Sequence, residues 1–492
     1  VYVGLVKEVT EIQHSETTSV DIFTNTSTTT TINTYTISPN GKVLIDASLN
    51  ITSAETIDGN VSFTVGGIQY HYNDQDRLDA DNPADEIEGI SLNTVIEGEG
   101  SAAVTIWDEI VAIIGENNPL LTQLGLTSNS TIDHTFSVSR DFFENTTVSI
   151  IENTYILAEN GQAKIETANT LTGGVNVDGS RMYSVSAIGY EYTEGGERDS
   201  YEAVNSRYIY EVENEDGTTT EMVYEGLVNN AVDRTVHLGD FFTRFNISSS
   251  DILRNLPGID STLSVEGTLS LTIDVFGNLS LTHITNTPIL EGEEEKKGYI
   301  QVETGAFKPE FQETKLLSSY NIDGTTQVQT RSSIVKFHYT NGTETEDQLT
   351  HVSDATYYID SDTGTAYAGL LKWAEEKQVQ RIDSFDLYGN QTTTEMSNIY
   401  IITHTGQHKV KMATTEIVLS TSLDGTEMRS ESEWAQIVVY DYTDGTEAEG
   451  ALPDRYYDED GQVFKGLLKS ATEDYYQGGR HQIIEYTDVF GN

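Results

Sequence analysis

The sequence predicts an all-β protein, organised as a tandem array of four antiparallel β-sandwich-like modules. Three observations predict this fold class. A motif recurs at long intervals, apolar residues alternate in period two, and turn-forming pairs separate the alternating segments. Only seven prolines occur in 492 residues, so few of the expected strands are interrupted. The chain is therefore expected to be a β-rich repeat protein.

The recurring motif is Asp-x-(Phe/Tyr)-x-Asn, with a second Asn eight residues after the first. Copies begin at Asp21, Asp141, Asp274, Asp386 and Asp488, which are 120, 133, 112 and 102 residues apart. Intervals of this size suit one module per copy. The predicted modules span about residues 1–125, 126–260, 261–382 and 383–492. A continuous β-meander through all four modules is the alternative arrangement.

Each module contains several alternating segments rich in Thr, Ile, Val and Tyr. Two further signatures recur: aliphatic-x-ring-x-Tyr, as at residues 68–72, and ring-x-Gly-aliphatic, as at residues 464–467. Asn-Gly and Asp-Gly pairs, which favour tight hairpin turns, separate the segments. These pairs are Asn40-Gly41, Asn160-Gly161, Asn341-Gly342, Asp424-Gly425 and Asp444-Gly445. The segments are therefore expected to pair as antiparallel hairpins.

The first two modules carry long inserts before the next copy of the motif. Apolar residues there recur with a helical period, at 107–114 and 119–121 and again at 241–245 and 251–256. Each insert is expected to fold as a small helical cap on its β-module. Two roles stay open for the caps: packing elements that plug a module, and lateral contacts between neighbouring subunits.

The chain is strongly acidic, with 79 Asp and Glu against 27 Lys and Arg, for a formal net charge of −52. Such a surface repels nucleic acid and anionic membranes, so neither is an expected partner. No apolar run reaches the ~18–20 residues of a membrane helix, and no membrane insertion is expected. The acidity is open to two explanations, adaptation to salt or cation binding. The absence of Cys excludes disulfides and thiolate metal sites.

Asp-rich loops are the candidate metal sites, because alternating carboxylates beside a turn glycine supply the hard oxygens that Ca²⁺ prefers. None has the full calcium loop with its terminal bidentate Glu, and a plain hairpin turn is the alternative for the shorter loops. Calcium is the candidate cofactor, and Ca²⁺ or high salt is expected to stabilise any assembly. The candidate ligands are Asp74, Asp76, Asp79, Asp81, Asp85, Asp360, Asp362, Asp458 and Asp460.

Asn-x-Ser/Thr sequons provide candidate glycosylation sites. Four of them are the Asn of the recurring motif, where the alternative role is a turn residue that tolerates left-handed backbone geometry. The candidate sites are Asn25, Asn50, Asn60, Asn129, Asn145, Asn246, Asn278, Asn341 and Asn390.

No enzymatic activity is expected. The sequence lacks a Gly-x-Ser-x-Gly elbow, a phosphate-binding glycine loop and a dinucleotide-binding fingerprint. His404 and His408 are four residues apart, but they lie in strand-like sequence and have no Glu between them, unlike the helix of a zinc protease. The ring-x-Tyr signatures are open to two interpretations, cross-strand packing and a platform for cell-surface glycans.

Short phrases at residues 385–390 and 487–492 resemble the Tyr-Asp repeats of Rhs-type surface proteins. The Rhs repeat is far shorter than the intervals seen here, so the resemblance does not imply the Rhs shell fold. More broadly, the chain is similar to giant tandem-repeat surface proteins, S-layer proteins and sheath or filament subunits of prokaryotes. That likeness implies an extracellular, cell-surface location.

The sequence therefore predicts an extracellular structural protein that polymerises head to tail with copies of itself into a filament, sheath or surface layer. Both ends of the sequence belong to the same part of the repeat. Either the chain is a window on a longer repeat protein, or half-modules complete each other between subunits. The candidate assembly residues are Tyr2, Leu5, Tyr486, Val489 and Phe490. The alternative function is an adhesin whose modules form a stalk for a glycan- or protein-binding tip.

Overall fold

The structure is a computed structural model that describes residues 13–97, 103–200, 208–214, 218–289, 298–431, 435–448, 450–453, 456–458, 461–474 and 483–487. The described chain is predominantly β, and its strands pair in large antiparallel sheets. The predicted all-β class is thereby confirmed. The finer arrangement as four separate sandwiches is not confirmed.

The elements follow the order of the four repeats. The first repeat contains β1 (Gln13–Val20), β2 (Thr26–Ile37), β3 (Val43–Glu55), β4 (Val61–Tyr70), β5 (Ala84–Glu86), β6 (Ile90–Ser91), β7 (Val95–Glu97), β8 (Val104–Thr105), α1 (Ile106–Ile114), α2 (Pro119–Gln123) and β9 (Thr131–Ile132). The second contains β10 (Thr135–Arg140), β11 (Thr146–Leu157), β12 (Ala163–Val175), β13 (Arg181–Tyr192), β14 (Gly196–Glu197), a 3₁₀ turn (Arg198–Ser200), β15 (Ile209–Glu213), β16 (Thr219–Val223), β17 (Val228–Asp233), β18 (Thr235–His237), α3 (Leu238–Arg244), α4 (Ser249–Leu253) and β19 (Ser264–Glu266).

The last two repeats have shorter connections. The third contains β20 (Thr268–Ile273), β21 (Leu279–Thr285), β22 (Tyr299–Gln301), β23 (Phe307–Pro309), β24 (Phe311–Tyr320), β25 (Thr326–Arg331), β26 (Ser333–Tyr339), 3₁₀ turns at Glu346–Gln348 and Ala355–Tyr358, and β27 (Leu371–Gln378). The fourth contains β28 (Gln380–Phe385), β29 (Gln391–Ile402), β30 (His408–Thr421), β31 (Glu427–Glu431), β32 (Gln436–Tyr442), β33 (Leu468–Asp474) and β34 (Ile483–Thr487).

Twenty-three of the described strands form one hydrogen-bonded sheet. The same joint connects successive repeats. Residues 61–65 of β4 pair with β10 of the next repeat, while residues 68–70 of β4 pair with β5. This fork recurs where β13 pairs with both β20 and β17, and at the pairs β25–β28 and β31–β34. The joints at β4, β13 and β25 cross the predicted module boundaries, so hydrogen bonding is continuous there, whereas the β31–β34 joint lies within 383–492. The boundaries themselves stay a prediction.

The predicted helical inserts pack against one face of the sheet. Helix α1 begins with a capping box between Thr105 and Asp108, and its buried residues Ile106, Ile110 and Ile114 share one side. Alternate sheet residues are buried beneath the helices, as the period of a strand requires. They include Phe63, Val65, Phe136, Val138, Tyr183, Val185, Leu269 and Leu271. The inserts of the first two repeats therefore fill a common core with the sheet.

Within the described residues, no helix has the length and apolar character to cross a membrane.

Candidate functional site: an apolar turn row

The recurring Asp-x-(Phe/Tyr)-x-Asn motif forms the turn between the first two strands of each repeat. In the fourth repeat Asp386 accepts hydrogen bonds from the backbone N–H groups of Tyr388 and Asn390, at 2.8 and 2.9 Å, and from Asn390 Nδ2 at 2.7 Å. The other repeats make the same three bonds, to Asp21, Asp141 and Asp274. The motif is thus a turn that its own Asp closes.

The Asn of the motif ties this turn to a second one at the same end of the sheet. Its Oδ1 accepts the backbone N–H of an aliphatic residue in an aliphatic-Asp-Gly turn. The pairs are Asn25 with Ile57, Asn145 with Val177, Asn278 with Ile322 and Asn390 with Leu423, at 2.9, 3.0, 2.7 and 2.8 Å. The sequence predicted this second turn only in the fourth repeat, at Asp424-Gly425, and its recurrence in the other repeats was missed. The sequence did contain a signal for it, since the motif Asn and the aliphatic residue of the second turn are 32, 32 and 33 residues apart in three of the repeats.

The two kinds of turn place apolar side chains side by side along one end of the sheet. Neighbouring repeats touch there: a Cβ at Gly179 would lie 3.6 Å from Val275, and one at Gly324 would lie 2.9 Å from Leu387. We call this set the apolar turn row. It comprises Ile22, Phe23, Ile57, Phe142, Val177, Val275, Phe276, Ile322, Leu387, Tyr388 and Leu423.

The first part of the row is covered by later repeats. Phe23 packs edge-on against Tyr358 of the third repeat, with ring centroids 5.8 Å apart. It also lies against the β29–β30 turn, where a Cβ at Gly406 would come within 2.7 Å of the ring. The first repeat therefore contacts both the third and the fourth.

Phe142 of the second repeat is covered in the same manner. Its ring centroid lies 5.5 Å from that of Tyr456 and 5.0 Å from that of Phe464, both in the fourth repeat. Phe464 also covers Gly59 of the first repeat, where a Cβ would lie 3.0 Å from its ring. The sheet thus coils until the turns of one repeat meet loops two repeats later.

The covering loops follow β26 and β32, at residues 340–370 and in the described part of 443–467. Lys308 and Lys409 anchor them, since each donates a hydrogen bond at 2.9 Å to a carbonyl, of Gly369 and Gly466 respectively. Burial lowers the pKa of both lysines, and nearby Asp58 of the first repeat opposes that shift at Lys409. A cavity of 680 Å³ remains where the fourth-repeat loop meets the first-repeat turns.

The rest of the row is exposed to solvent. Phe276 is 71% exposed, Leu387 70%, Tyr388 74% and Leu423 76%. Val177 and Ile322 are similarly exposed. Exposed apolar groups that lie side by side mark interaction surfaces more often than isolated ones do. The uncovered part of the row is therefore the candidate site of this chain.

The loop at 74–85 does not gather its carboxylates around one point. The Asp76 side chain is 1% exposed and lies 3.5 Å from Lys42 Nζ. Asp85 accepts hydrogen bonds from Asn82 and His71, and these hold the pKa of its carboxyl below the ordinary value against the effect of burial. The backbone carbonyl of Asp74 accepts from Asn40 Nδ2, and Asp79 accepts the N–H of Asp81.

The remaining candidate ligands act in turns. Asp360 accepts the N–H of Asp362 at 2.9 Å, and Asp458 accepts that of Gln462 at 2.7 Å. Asp460 lies outside the described residues. In the part of the chain that the structure describes, no three His, Asp or Glu side chains converge as metal ligands would.

The sequon residues fall into two groups. The motif residues Asn25, Asn145, Asn278 and Asn390 use both side-chain polar atoms in the turn hydrogen bonds described above. Asn50 accepts from Thr31, and Asn60 both donates to Asp58 and accepts the N–H of Phe142. Asn129, Asn246 and Asn341 are exposed. Use of these sites for glycans stays a prediction.

Of the candidate assembly residues, the structure describes only the backbone of Tyr486. It lies in β34, which pairs with β31 as β10 pairs with β4. Tyr2, Leu5, Val489 and Phe490 lie outside the described residues.

The chain matches no protein-family model, no curated protein and no solved structure.

Proposed function

We propose that this chain is an extracellular structural repeat protein that assembles with copies of itself into a filament, sheath or surface layer. The observation that carries the proposal is the recurring strand joint. Successive repeats join the sheet through the same antiparallel pairing, in which residues 61–65 meet 136–140, 181–186 meet 268–273 and 326–331 meet 381–385. The same pairing recurs within the fourth repeat, where residues 427–431 meet 483–487. A sheet that grows by one repeated joint has no built-in limit on its length.

The edge of the sheet at β1 supports the same proposal. All eight residues of β1 are exposed, and in the described chain β1 pairs with β2 alone. An exposed edge strand presents unpaired backbone donors and acceptors to another chain. Among the described strands β34 pairs with β31 alone and forms the other edge. Pairing of one copy's β34 edge with the next copy's β1 would be head to tail, and such contacts can continue without closing.

The predicted modules would be the units of this assembly, and the chain would have no catalytic role. Because each chain carries a net charge of −52, carboxylates of neighbouring copies would lie close together and repel each other wherever copies meet. Cations or high salt would relieve that repulsion, since screening acts on exposed charges. Calcium is proposed in this role, between copies and without a preformed cage.

Neighbouring proline substitutions on β1 test the proposal. Successive backbone N–H groups along a strand point to opposite sides of the strand. Proline has no N–H, so of the two variants Glu16→Pro and Thr17→Pro one removes a hydrogen bond to β2, the inward variant. The other, the outward variant, removes a donor that faces away from β2. The outward variant should keep the stability of the monomer and lose assembly, measured by sedimentation and electron microscopy with and without Ca²⁺. The inward variant should lose stability. An unmodified chain that stays monomeric at every concentration and salt level contradicts the proposal.

A further inference from the structure

We infer that the exposed part of the apolar turn row binds a second copy of this chain, through Tyr224 and the described residues around it, 218–227, in the second repeat of that copy. This inference rests on the proposed function, because it identifies a contact by which copies would assemble. In the predicted contact Leu387 of one copy meets Tyr224 of the other. The contact copies the one that Phe142 makes with Phe464 inside the chain.

The described ends of the segment 193–227 are closed by the same hydrogen bonds as the covering loops. Thr193 Oγ1 donates to the Tyr224 carbonyl at 2.6 Å and accepts the Leu227 N–H at 3.0 Å. In the fourth repeat Thr443 bonds the Phe464 carbonyl and the Leu467 N–H at 2.6 and 2.9 Å. Tyr224 and Phe464 thus occupy equivalent positions in equivalent loops.

The turn that would enter this contact is also equivalent to the one already covered. Phe142 and Leu387 each follow the motif Asp, and the three turn hydrogen bonds are the same in both repeats. The aliphatic-Asp-Gly turn beside each is tied by the same Asn bond. The two turns therefore present their apolar residues in the same way.

Both predicted partners are accessible. Leu387 is 70% exposed and Tyr224 is 49% exposed, whereas Phe142 and Phe464 are half-buried against each other. The ring of Tyr210 lies 4.5 Å from that of Tyr224 and holds it in place. An aromatic ring with restricted motion is a favourable anchor, because little side-chain entropy is lost on binding.

One charge differs between the internal contact and the contact between copies. The residue after Phe464 is Lys465, whose Nζ lies 4.6 Å from the Tyr357 ring centroid. The residue after Tyr224 is Glu225, which places a negative charge where the internal contact has a positive one, on a chain whose net charge is −52. Like charges weaken the contact in dilute buffer, and screening restores it. The contact between copies is therefore expected to depend on salt.

Crosslinking between two single-cysteine variants tests the inference, and the native chain gives no background because it has no Cys. Leu387→Cys and Tyr224→Cys chains are mixed in about 1 M NaCl and treated with a short bismaleimide. The matched control replaces Leu387→Cys with Ile399→Cys, at a residue 53% exposed on β29. A Phe142→Cys, Phe464→Cys double variant calibrates the reagent within one chain. Circular dichroism checks that each variant folds.

The Leu387→Cys mixture should yield at least about tenfold more covalent dimer than the Ile399→Cys mixture, the ratio expected for a specific contact. Adding Glu225→Lys to the Tyr224→Cys chain should raise the yield in dilute buffer, whereas Glu211→Lys should not. Equal yields in the two mixtures overturn the inference. If the unmodified chain still forms fibres in the microscope, the proposed function survives that result. A chain that neither crosslinks nor assembles overturns both.

Discussion

Phe142 and Leu387 occupy the same position of the same turn, in two regions of the molecule that differ in what surrounds them. Both turns are closed by an Asp and tied to a neighbour by an Asn. Loops two repeats later cover Phe142, whereas Leu387 is 70% exposed. The comparison shows that local sequence determines the turn, while the position of a repeat in the coil determines whether its apolar residue is buried.

The largest expected effect comes from truncating the covered member of this pair. Phe142→Ala should lower the free energy of unfolding by about 2 kcal/mol, since it removes a half-buried ring and leaves a cavity. Leu387→Ala should change it by less than about 0.5 kcal/mol, as is usual for exposed sites. Urea unfolding followed by tryptophan fluorescence and circular dichroism measures both. Equal losses at the two sites would mean that the coil contacts contribute nothing to stability.

A glycine pair isolates the contact at Phe23. Gly406 and Gly161 occupy equivalent positions in two turns, β29–β30 and β11–β12, with φ of +73° and +76°. Alanine at either site therefore has the same left-handed strain. At Gly406 the new Cβ would meet the Phe23 ring at 2.7 Å, whereas at Gly161 it would meet no described atom within 4 Å. Gly406→Ala should therefore cost about 1 kcal/mol more than Gly161→Ala. The same denaturation series tests this, and identical midpoints would rule out a docked Phe23.

The smallest expected effect concerns the part that both regions share, the turn itself. The Asn390 side chain, together with backbone N–H groups, holds the pKa of Asp386 below its ordinary value, against the effect of burial. A carboxyl whose pKa is lower in the folded state stabilises the fold at a pH above its unfolded-state pKa of about 3.9. This stabilisation is lost as the pH falls through the folded-state pKa.

The native chain should therefore be more stable than Asp386→Asn near neutral pH, and the gap should close as the solution becomes acidic. Unfolding midpoints of the two proteins across that range provide the measurement. A gap that is constant with pH would show that the Asp386 carboxylate is not the group that closes the turn.

Local patterns in the sequence predicted much of what is local in the fold. The Asp-x-(Phe/Tyr)-x-Asn motif, the Asn40-Gly41 and Asn160-Gly161 turns and the helical period of residues 107–114 each correspond to an observed turn or helix. Asn341-Gly342 and Asp444-Gly445 were predicted as hairpin turns, but they lie at the start of the two covering loops. Strand pairings across repeats were not predictable in this way. The pairing of residues 61–65 with β10 joins segments about seventy residues apart, and register over such a distance is set by tertiary contacts.

The same reasoning applies to the candidate site. Aliphatic-Asp-Gly was visible as a hairpin signal, yet nothing local indicated that Gly59 and Phe142 would be neighbours, with a Cβ at Gly59 lying 3.3 Å from the Phe142 ring. The exposure of Leu423 was equally hidden, because it depends on which repeats follow in space. The candidate calcium ligands were predicted from alternating carboxylates in loops beside a turn glycine, a pattern that does not show what each carboxylate contacts. Asp76 and Asp85 lie instead against Lys42 and His71, pairings that only the folded loop reveals.

The forked strand joint also provides a position at which another protein domain could be inserted into the chain. In the third repeat, β27 passes directly into β28 through Val379. At the corresponding place the first two repeats accommodate the segments 87–134 and 234–267, helices included, and the sheet continues on both sides. A foreign domain with adjacent termini, inserted at Val379, would occupy the position at which the first two repeats already contain long inserted segments. A fibre of such chains would present the inserted domain at one fixed interval along its length.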